Sequence, residues 1–553
     1  MSGRSLIGRL MVAAGLAAGL TACAAGAFAQ SGNPTVTAPA GAVRGRAEGG
    51  VAAFKGIPYA QAPTGDFRWR APRPAQPWQG VREAADYGPA CVQPTPGAPN
   101  IYSDALGATS EDCLSLNVWT PSTTGKAPVI VWIHGGALVT GASKEKLYDG
   151  ARLASEGAVV VSINYRLGVL GFLAHPELSA ESPVGISGNY GLMDQIQALT
   201  WVQRNIAAFG GDPANVTIAG ESAGGLSVMY LMASPLTRGL FHKAIAQSAY
   251  MISTPELKTA RYGAASGEDQ GATLARRIQA PSLRALRNMD AQALTDAAAM
   301  NGFFPLPVVD GAVLRGQTTD IFAAGQQSPV PILAGFNSGE IRSLRMLAPP
   351  VPANAADYES TIRQRYGDLA EEYLRLYPSS DMGESVLAAA RDALYGWTSE
   401  RLVRNQTALG QASYLYVFDH GYPAANEAGL KAFHASELPY MWGNLDRTPP
   451  RWPRPPATPA ETALSDAMVD YWISFARTGA PVAEDAPAWP AYDGGAHMVF
   501  GDTPTPAAAL WPGMFALHEQ AVCRRREANL AWNWNAGLNS PPLAPAAACE
   551  SAR

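Results

Sequence analysis

This chain is poor in charge, in histidine and in cysteine. Asp, Glu, Lys and Arg make up 16% of its 553 residues, and the net charge is −5. A protein that grips nucleic acid needs a basic patch or stripe. The densest basic run is "CRRRE" at Cys523–Glu527, which reads as a solvated or ion-paired helical face. Nucleic acid is therefore not an expected partner. No internal repeat and no structureless linker divides the chain, which argues against a solenoid or a string of small modules. The five cysteines show no C-x-x-C spacing and no His–Cys cluster, so no zinc or other metal site is expected.

The only apolar run near the length of a membrane span lies at the start. Arg4 and Arg9 precede "LMVAAGLAAGLTA", and "AFAQ" supplies small residues at Ala27 and Ala29. This layout reads as a secretory leader over 1–29, cleaved after Ala29. The competing reading is a lipoprotein signal ending at residue 22, with Cys23 of "LTAC" lipidated and the mature chain anchored through it. Either way the expected location is outside the cytoplasm, secreted or periplasmic. Loss of Cys23 with the leader leaves Cys91, Cys113, Cys523 and Cys549. In an oxidising compartment four cysteines allow two bridges in three pairings. Proximity in sequence favours Cys91–Cys113 with Cys523–Cys549.

From Ala127 onward the chain alternates short apolar runs with amphipathic ones. "APVIVWIHGG", "GAVVVSINYR", "NVTIAGES", "KAIAQS", "VPILAGF" and "SYLYVFDH" read as buried strands. In "NYGLMDQIQALTWVQRNIAAFGG", Leu192, Ile196, Leu199, Val202 and Ile206 recur at helical spacing, and Gly210-Gly211 closes the helix. Alternating strands and helices predict an α/β fold with a largely parallel sheet covered on both faces. Stretches near 250–330 and 345–410 read as helical insertions into one domain spanning 30–553.

Within this pattern "GESAGG" places Ser222 between a strand and the helix "AGGLSVMYLMAS". By itself G-x-S-x-G is a common accident in a glycine-rich chain, and a plain turn explains it equally. A strand turning sharply into a helix changes the weighing. It exposes the serine at the carboxyl edge of the sheet, where open α/β sheets bind ligands, with helix amides aimed at the same point. A serine hydroxyl needs a base to become a nucleophile, and the base needs an acid to orient it. In sheets of this kind those partners follow the serine in the chain. Among the later histidines His434, in "AFHASELPYMWGN", is the candidate.

Several long segments taken in series resemble the type-B carboxylesterases, the cholinesterase-like branch of the α/β-hydrolase superfamily. "FKGIPYAQAP", "EDCLSLNVW", "WIHGGA", "NYRLGVLGFL", "FGGDPANVTIAGESAGG", "HKAIAQSA" and "FHASELPYMWG" resemble family segments in the same order, over about residues 35–520. The likeness is strongest to bacterial para-nitrobenzyl-esterase-like carboxylesterases. It implies an α/β-hydrolase fold, Ser222 as nucleophile, His434 as general base and Glu340 as the orienting acid. At the last position "NSGEI" departs from the family's usual Asp-Glu-Gly, although the spacing from Gly335 is kept. Asp310 in "PVVDG" is the competing carboxylate and resembles a structural turn. Glu437 is expected to fix the histidine loop, and His134 to orient the loop that follows it. The amides of Gly136, Ala137 and Ala223 are expected to form the oxyanion hole.

The implied activity is two-step hydrolysis of small-molecule carboxylic esters with no cofactor. Thioester, lactone or amide hydrolysis on the same triad remain alternatives, as does a non-catalytic binding protein of the same branch. The loop between Cys91 and Cys113 contains no Trp, and its single aromatic is Tyr102. That disfavours a choline cage. The insertions near 250–330 and 345–410, with Leu138 and Val139 beside the oxyanion loop, are expected to line an apolar pocket, which points to uncharged, partly hydrophobic esters.

Overall fold

The computed structural model describes residues 33–545 and Cys549. The leader and lipidation readings at 1–29 and Cys23 lie outside these residues. The main sheet has eleven strands. In chain order they are β1 (Arg46–Glu48), β2 (Val51–Pro58), β3 (Ser115–Thr120), β4 (Ala127–Ile133), β5 (Val159–Ile163), β6 (Gly211–Glu221), β7 (Lys243–Gln247), β8 (Ile332–Asn337), β9 (Ser413–Phe418), β10 (His497–Phe500) and β11 (Pro504–Ala507). Their spatial order is β11-β10-β9-β8-β7-β6-β4-β5-β3-β2-β1. From β5 through β4, β6, β7, β8 and β9 to β10, every neighbouring pair is parallel. The outer pairs β5–β3, β3–β2, β2–β1 and β10–β11 are antiparallel. This is an α/β-hydrolase fold.

Composition explains the parallel centre. In β4 the residues Val129, Val131 and Ile133 enter the core on one face, while Ile130 and Trp132 enter it on the other. Alternation along a strand sends successive side chains to opposite faces, so a strand apolar at every position must be covered twice. Helices α1 (Tyr190–Asn205), α2 (Ala223–Ala233) and α3 (Trp397–Ala408) cover one face, and α4 (Pro459–Thr478) the other. Each fully buried Val, Leu or Ile contributes roughly 1.5–3 kcal/mol. Helix α1 is the one expected from "NYGLMDQIQALTWVQRN". A single 3₁₀ turn extends it, and Gly210 at φ 79° ends it, a conformation open to glycine at little cost.

The stretches near 250–330 and 345–410 hold short helices, among them Gly267–Arg277, Ala291–Met300, Ala355–Tyr366 and Met382–Arg391. Between the last of these and α3, residues Asp392–Gly396 form a π-helical turn. The cysteines pair as Cys91–Cys113 and Cys523–Cys549. "CRRRE" ends the helix Met514–Glu527: Arg524 and Arg526 pair with Asp368 and Asp320, while Arg525 is buried rather than solvated. No helix among the described residues is long and apolar enough to cross a membrane.

Candidate active site

Strand β6 ends at Glu221 and α2 begins at Ala223, leaving Ser222 alone in the turn at φ 56°, ψ −121°. A non-glycine residue there is strained, and such strain persists only where surrounding contacts enforce it. The amide of Ser222 donates to Gln247 O at 2.9 Å, and Leu226 N donates back to Ser222 O at 2.8 Å. The flanking glycines are required by space. A Cβ on Gly220 would lie 2.5 Å from Gly224 C, and one on Gly224 would lie 2.0 Å from Ile133 O. The neighbours are close enough that only hydrogen fits, and the serine is left half-buried at the sheet's carboxyl edge.

The loop after β4 meets this turn. A Cβ on Gly135 would come within 3.3 Å of Ser222 Cβ. Gly136, Ala137 and Leu138 follow with φ of 97°, 56° and 60°. Gly136 O accepts from Val139 N and Thr140 N, and Leu138 O accepts from Gly168 N, which fixes the carbonyls. Among the described residues the amides of Gly136, Ala137 and Ala223 have no protein acceptor. His134 stacks on Tyr165 at 4.6 Å and hydrogen-bonds Gly135 O through Nδ1 at 2.9 Å. Burial drives its pKa down to about 4, so it is a neutral prop for the loop.

His434 reaches the same place from far along the chain. Its Nδ1 hydrogen-bonds Glu340 Oε2 in a short contact. The other Glu340 oxygen accepts from Ser248 Oγ at 2.6 Å and from Asn337 N at 2.8 Å. Glu437 accepts from Gln247 Nε2 at 3.0 Å and from Asn337 Nδ2 at 2.6 Å, and Asn337 Nδ2 also donates to Phe433 O at 2.8 Å. The ends of β7 and β8 thus hold both the carboxylate and the histidine loop. Tyr102 OH donates to His434 O at 3.0 Å, so the sole aromatic of the Cys91–Cys113 loop also braces it.

A profile described as the carboxylesterase family matches residues 32–509. The chain belongs to the carboxylesterase family. The para-nitrobenzyl esterase of Bacillus subtilis (strain 168) is 38% identical over 470 residues, covering 83% of this chain and 92% of that protein. The fumonisin B1 esterase of Sphingopyxis macrogoltabida is 36% identical over 480 residues, 83% of this chain and 85% of that one. A solved PNB esterase superposes with a TM-score of 0.74 at 34% identity, over 86% of this chain and 97% of its own. A carboxylesterase of Geobacillus stearothermophilus gives a TM-score of 0.72 at 34% identity, over 87% and 99%. The relatives are named esterases across most of the chain's length, and this member of the carboxylesterase family is a carboxylic ester hydrolase.

The family member's site holds one feature that its sequence hides. Glu221, immediately before Ser222, is buried with Oε1 3.1 Å from His434 Nε2, outside hydrogen-bond alignment. Among the described residues Ser222 Oγ makes no hydrogen bond. Hydrogen bonds of this kind are often loose without substrate and tighten when the reacting group arrives. Burial is the largest influence on His434 and lowers its pKa, yet Glu221, Glu340 and Glu437 together raise it to about 9. Glu221 is itself pushed well above the usual carboxylate range, by burial first and by Glu437 and Glu340 after it, with His434 opposing. Protonating Glu221 removes part of what holds the imidazolium, so the two titrations are linked, and the direction for His434 is upward. In "GESAG" the glutamate occupies the unconstrained x position, which is why spacing alone gave no signal.

The other carboxylate and histidines stand elsewhere. Asp310 caps its own turn, accepting from the amides of Ala312, Val313 and Leu314, and receives Asn189 Nδ2 at 2.8 Å. His420 lies between Glu461 and Asp502, and His518 hydrogen-bonds Tyr377 OH.

Proposed function

We propose that this carboxylesterase works through Ser222, His434 and Glu340 by way of an acyl-enzyme, with Gly136, Ala137 and Ala223 donating to the oxyanion. The reading rests on one juxtaposition: an imidazole held by a buried carboxylate at Nδ1, with Nε2 beside the strained turn that carries Ser222. In that arrangement neutral His434 takes the Ser222 proton as Oγ adds to the ester carbonyl. The imidazolium, stabilised by Glu340, then gives that proton to the leaving alcohol. Water repeats the cycle to release the acid. Free amides whose neighbouring carbonyls are already committed suit a charge that appears only during reaction; losing one such donor typically costs about 10²–10³ in turnover.

We infer further that the chain works outside the cytoplasm as one domain over 30–553, supported by the leader pattern and the two bridges. The substrates inferred are uncharged, partly hydrophobic esters, since the Cys91–Cys113 loop carries no Trp for a cationic group and Glu340 disfavours an anionic one beside the serine. The test is hydrolysis of p-nitrophenyl acetate and butyrate by the mature protein and its Ser222→Ala variant. Turnover by the first and loss of about 10³-fold or more in the second supports the reading; equal rates refute it.

A further inference from the structure

A line of aromatic rings runs from the proposed base to the surface. Tyr395 lies 5.5 Å from the His434 ring, and Tyr250 meets Tyr395 at 6.0 Å. Trp534 then meets Tyr250 at 5.8 Å, and Phe304 meets Trp534 at 6.0 Å. Phe304 is 44% exposed, so the line opens to solvent. Tyr395 sits in the π-helical turn Asp392–Gly396, a distortion that shifts side chains off the regular helical register and recurs at functional sites. Tyr250 is 7% and Tyr395 3% exposed, and among the described residues neither hydroxyl has a protein hydrogen-bond partner, although neither is sealed from solvent. Each phenol therefore has a donor free for a group that arrives from solvent.

One ring of the line, Trp534, does not come from the part of the chain matched by the family profile, which ends at residue 509. Trp534 belongs to the C-terminal segment, and that segment is firmly seated. Ser253 N donates to Trp532 O at 2.9 Å, Tyr262 N donates to Asn529 Oδ1 at 2.7 Å, and the Tyr262 and Trp532 rings meet at 4.8 Å. Arg525 holds Asn535 O at 2.8 Å, and the Cys523–Cys549 bridge closes the segment behind it. Trp534 itself stays half-buried, packed on one side by Tyr250 and Phe304.

We propose that Trp534 is a specificity-determining residue, which together with Tyr250 and Tyr395 binds an aromatic or similarly flat apolar group carried several bonds from the scissile ester. The inference rests on the reading of Ser222 and His434 as the reaction centre. Stacked or edge-on rings favour a flat apolar group, and the two phenols can donate to an oxygen on it. The tail thereby selects substrates without touching the reacting atoms.

The test compares kcat/KM for p-nitrophenyl acetate with that for p-nitrophenyl 4-phenylbutyrate and for 4-phenylbutyl acetate, which put the ring on the acyl and the alcohol side. Trp534→Ala is expected to lower kcat/KM for at least one ring-bearing ester by about tenfold or more, mainly through KM, and for p-nitrophenyl acetate by less than about threefold. Trp534→Phe should recover most of the loss. If Trp534→Ala does not fold, as judged by its melting temperature, Trp534→Leu takes its place in the comparison. Equal loss on all three esters, or no loss on any, overturns the proposal. The rate of Ser222 labelling by a small methylphosphonate ester keeps the two readings apart. Unchanged labelling with unchanged selectivity defeats the tail proposal alone, whereas no labelling of the wild type defeats the reaction centre.

Discussion

Replacing Glu340 by glutamine keeps the shape and reverses the chemistry of one atom. In the native site Oε2 accepts from His434 Nδ1–H while Oε1 accepts from Ser248 Oγ and Asn337 N. A glutamine has one acceptor and one donor to offer in their place. If its oxygen faces His434, its NH₂ is pressed against the Asn337 amide, donor against donor, in a site where Glu340 is fully buried. If its NH₂ faces His434, Nδ1 must be the bare nitrogen, the proton moves to Nε2, and the imidazole has no lone pair left for Ser222. The first leaves a buried donor facing a donor and is disfavoured, so the second prevails and removes the base. The loss expected is about 10³–10⁴ in kcat, equivalent to roughly 4–5.5 kcal/mol of barrier. Glu340→Asp keeps the charge but shortens the reach, and should fall between wild type and Glu340→Gln. The assay is steady-state hydrolysis of p-nitrophenyl butyrate, with a melting curve to show that each variant is folded. A Glu340→Gln enzyme within about tenfold of wild type, or a larger loss from Asp310→Asn, refutes the reasoning.

The pH profile follows from the same groups. Only neutral His434 can accept a proton, and its pKa is raised from 6.5 to about 9. kcat/KM should therefore climb with pH through neutrality and level off only above an apparent pKa well over 6.5; Glu221→Gln, removing the largest upward influence, should move that point down. A profile already flat at pH 6 contradicts this. His134 acts on stability in the opposite sense. Its folded pKa of about 4 lies below the unfolded 6.5, so the unfolded state binds the proton first. About 3 kcal/mol of stability present above pH 6.5 is lost as pH falls to 4. Urea midpoints of the wild type should drop more steeply over that window than those of His134→Gln; parallel slopes refute it. Gly224→Ala would bring a Cβ to 2.0 Å from Ile133 O, and should cost about 3 kcal/mol or more in urea unfolding or abolish expression as a folded protein. A loss below about 1 kcal/mol would mean that the elbow has room after all.

The parallel centre of the sheet could be read from residues because each strand there is buried on both faces and writes itself as a Val- and Ile-rich run. The antiparallel edges could not. Thr35–Ala38 pairs with Gly41–Arg44 outside the main sheet with alternate residues exposed, and β11 carries two prolines that a strand signal would exclude. Ser222 was visible through its glycines, because steric exclusion leaves glycine as the only solution at Gly220 and Gly224. His434 stood out only as one candidate among the later histidines and Glu340 emerged only with the family likeness, since what joins them is the closeness of β7, β8 and the histidine loop, not their spacing. Glu221 and Tyr395 left no mark. The first fills a position where spacing permits any residue, and the second depends on a helical turn of irregular pitch.

The most direct measurement is the intact mass of the mature protein after exposure to a serine-directed fluorophosphonate, followed by peptide mapping. The account requires one adduct, on the peptide spanning Phe209–Gly225 at Ser222, absent in Ser222→Ala and formed far more slowly in His434→Ala. A single adduct on any other side chain, or labelling of Ser222→Ala at the wild-type rate, would contradict it.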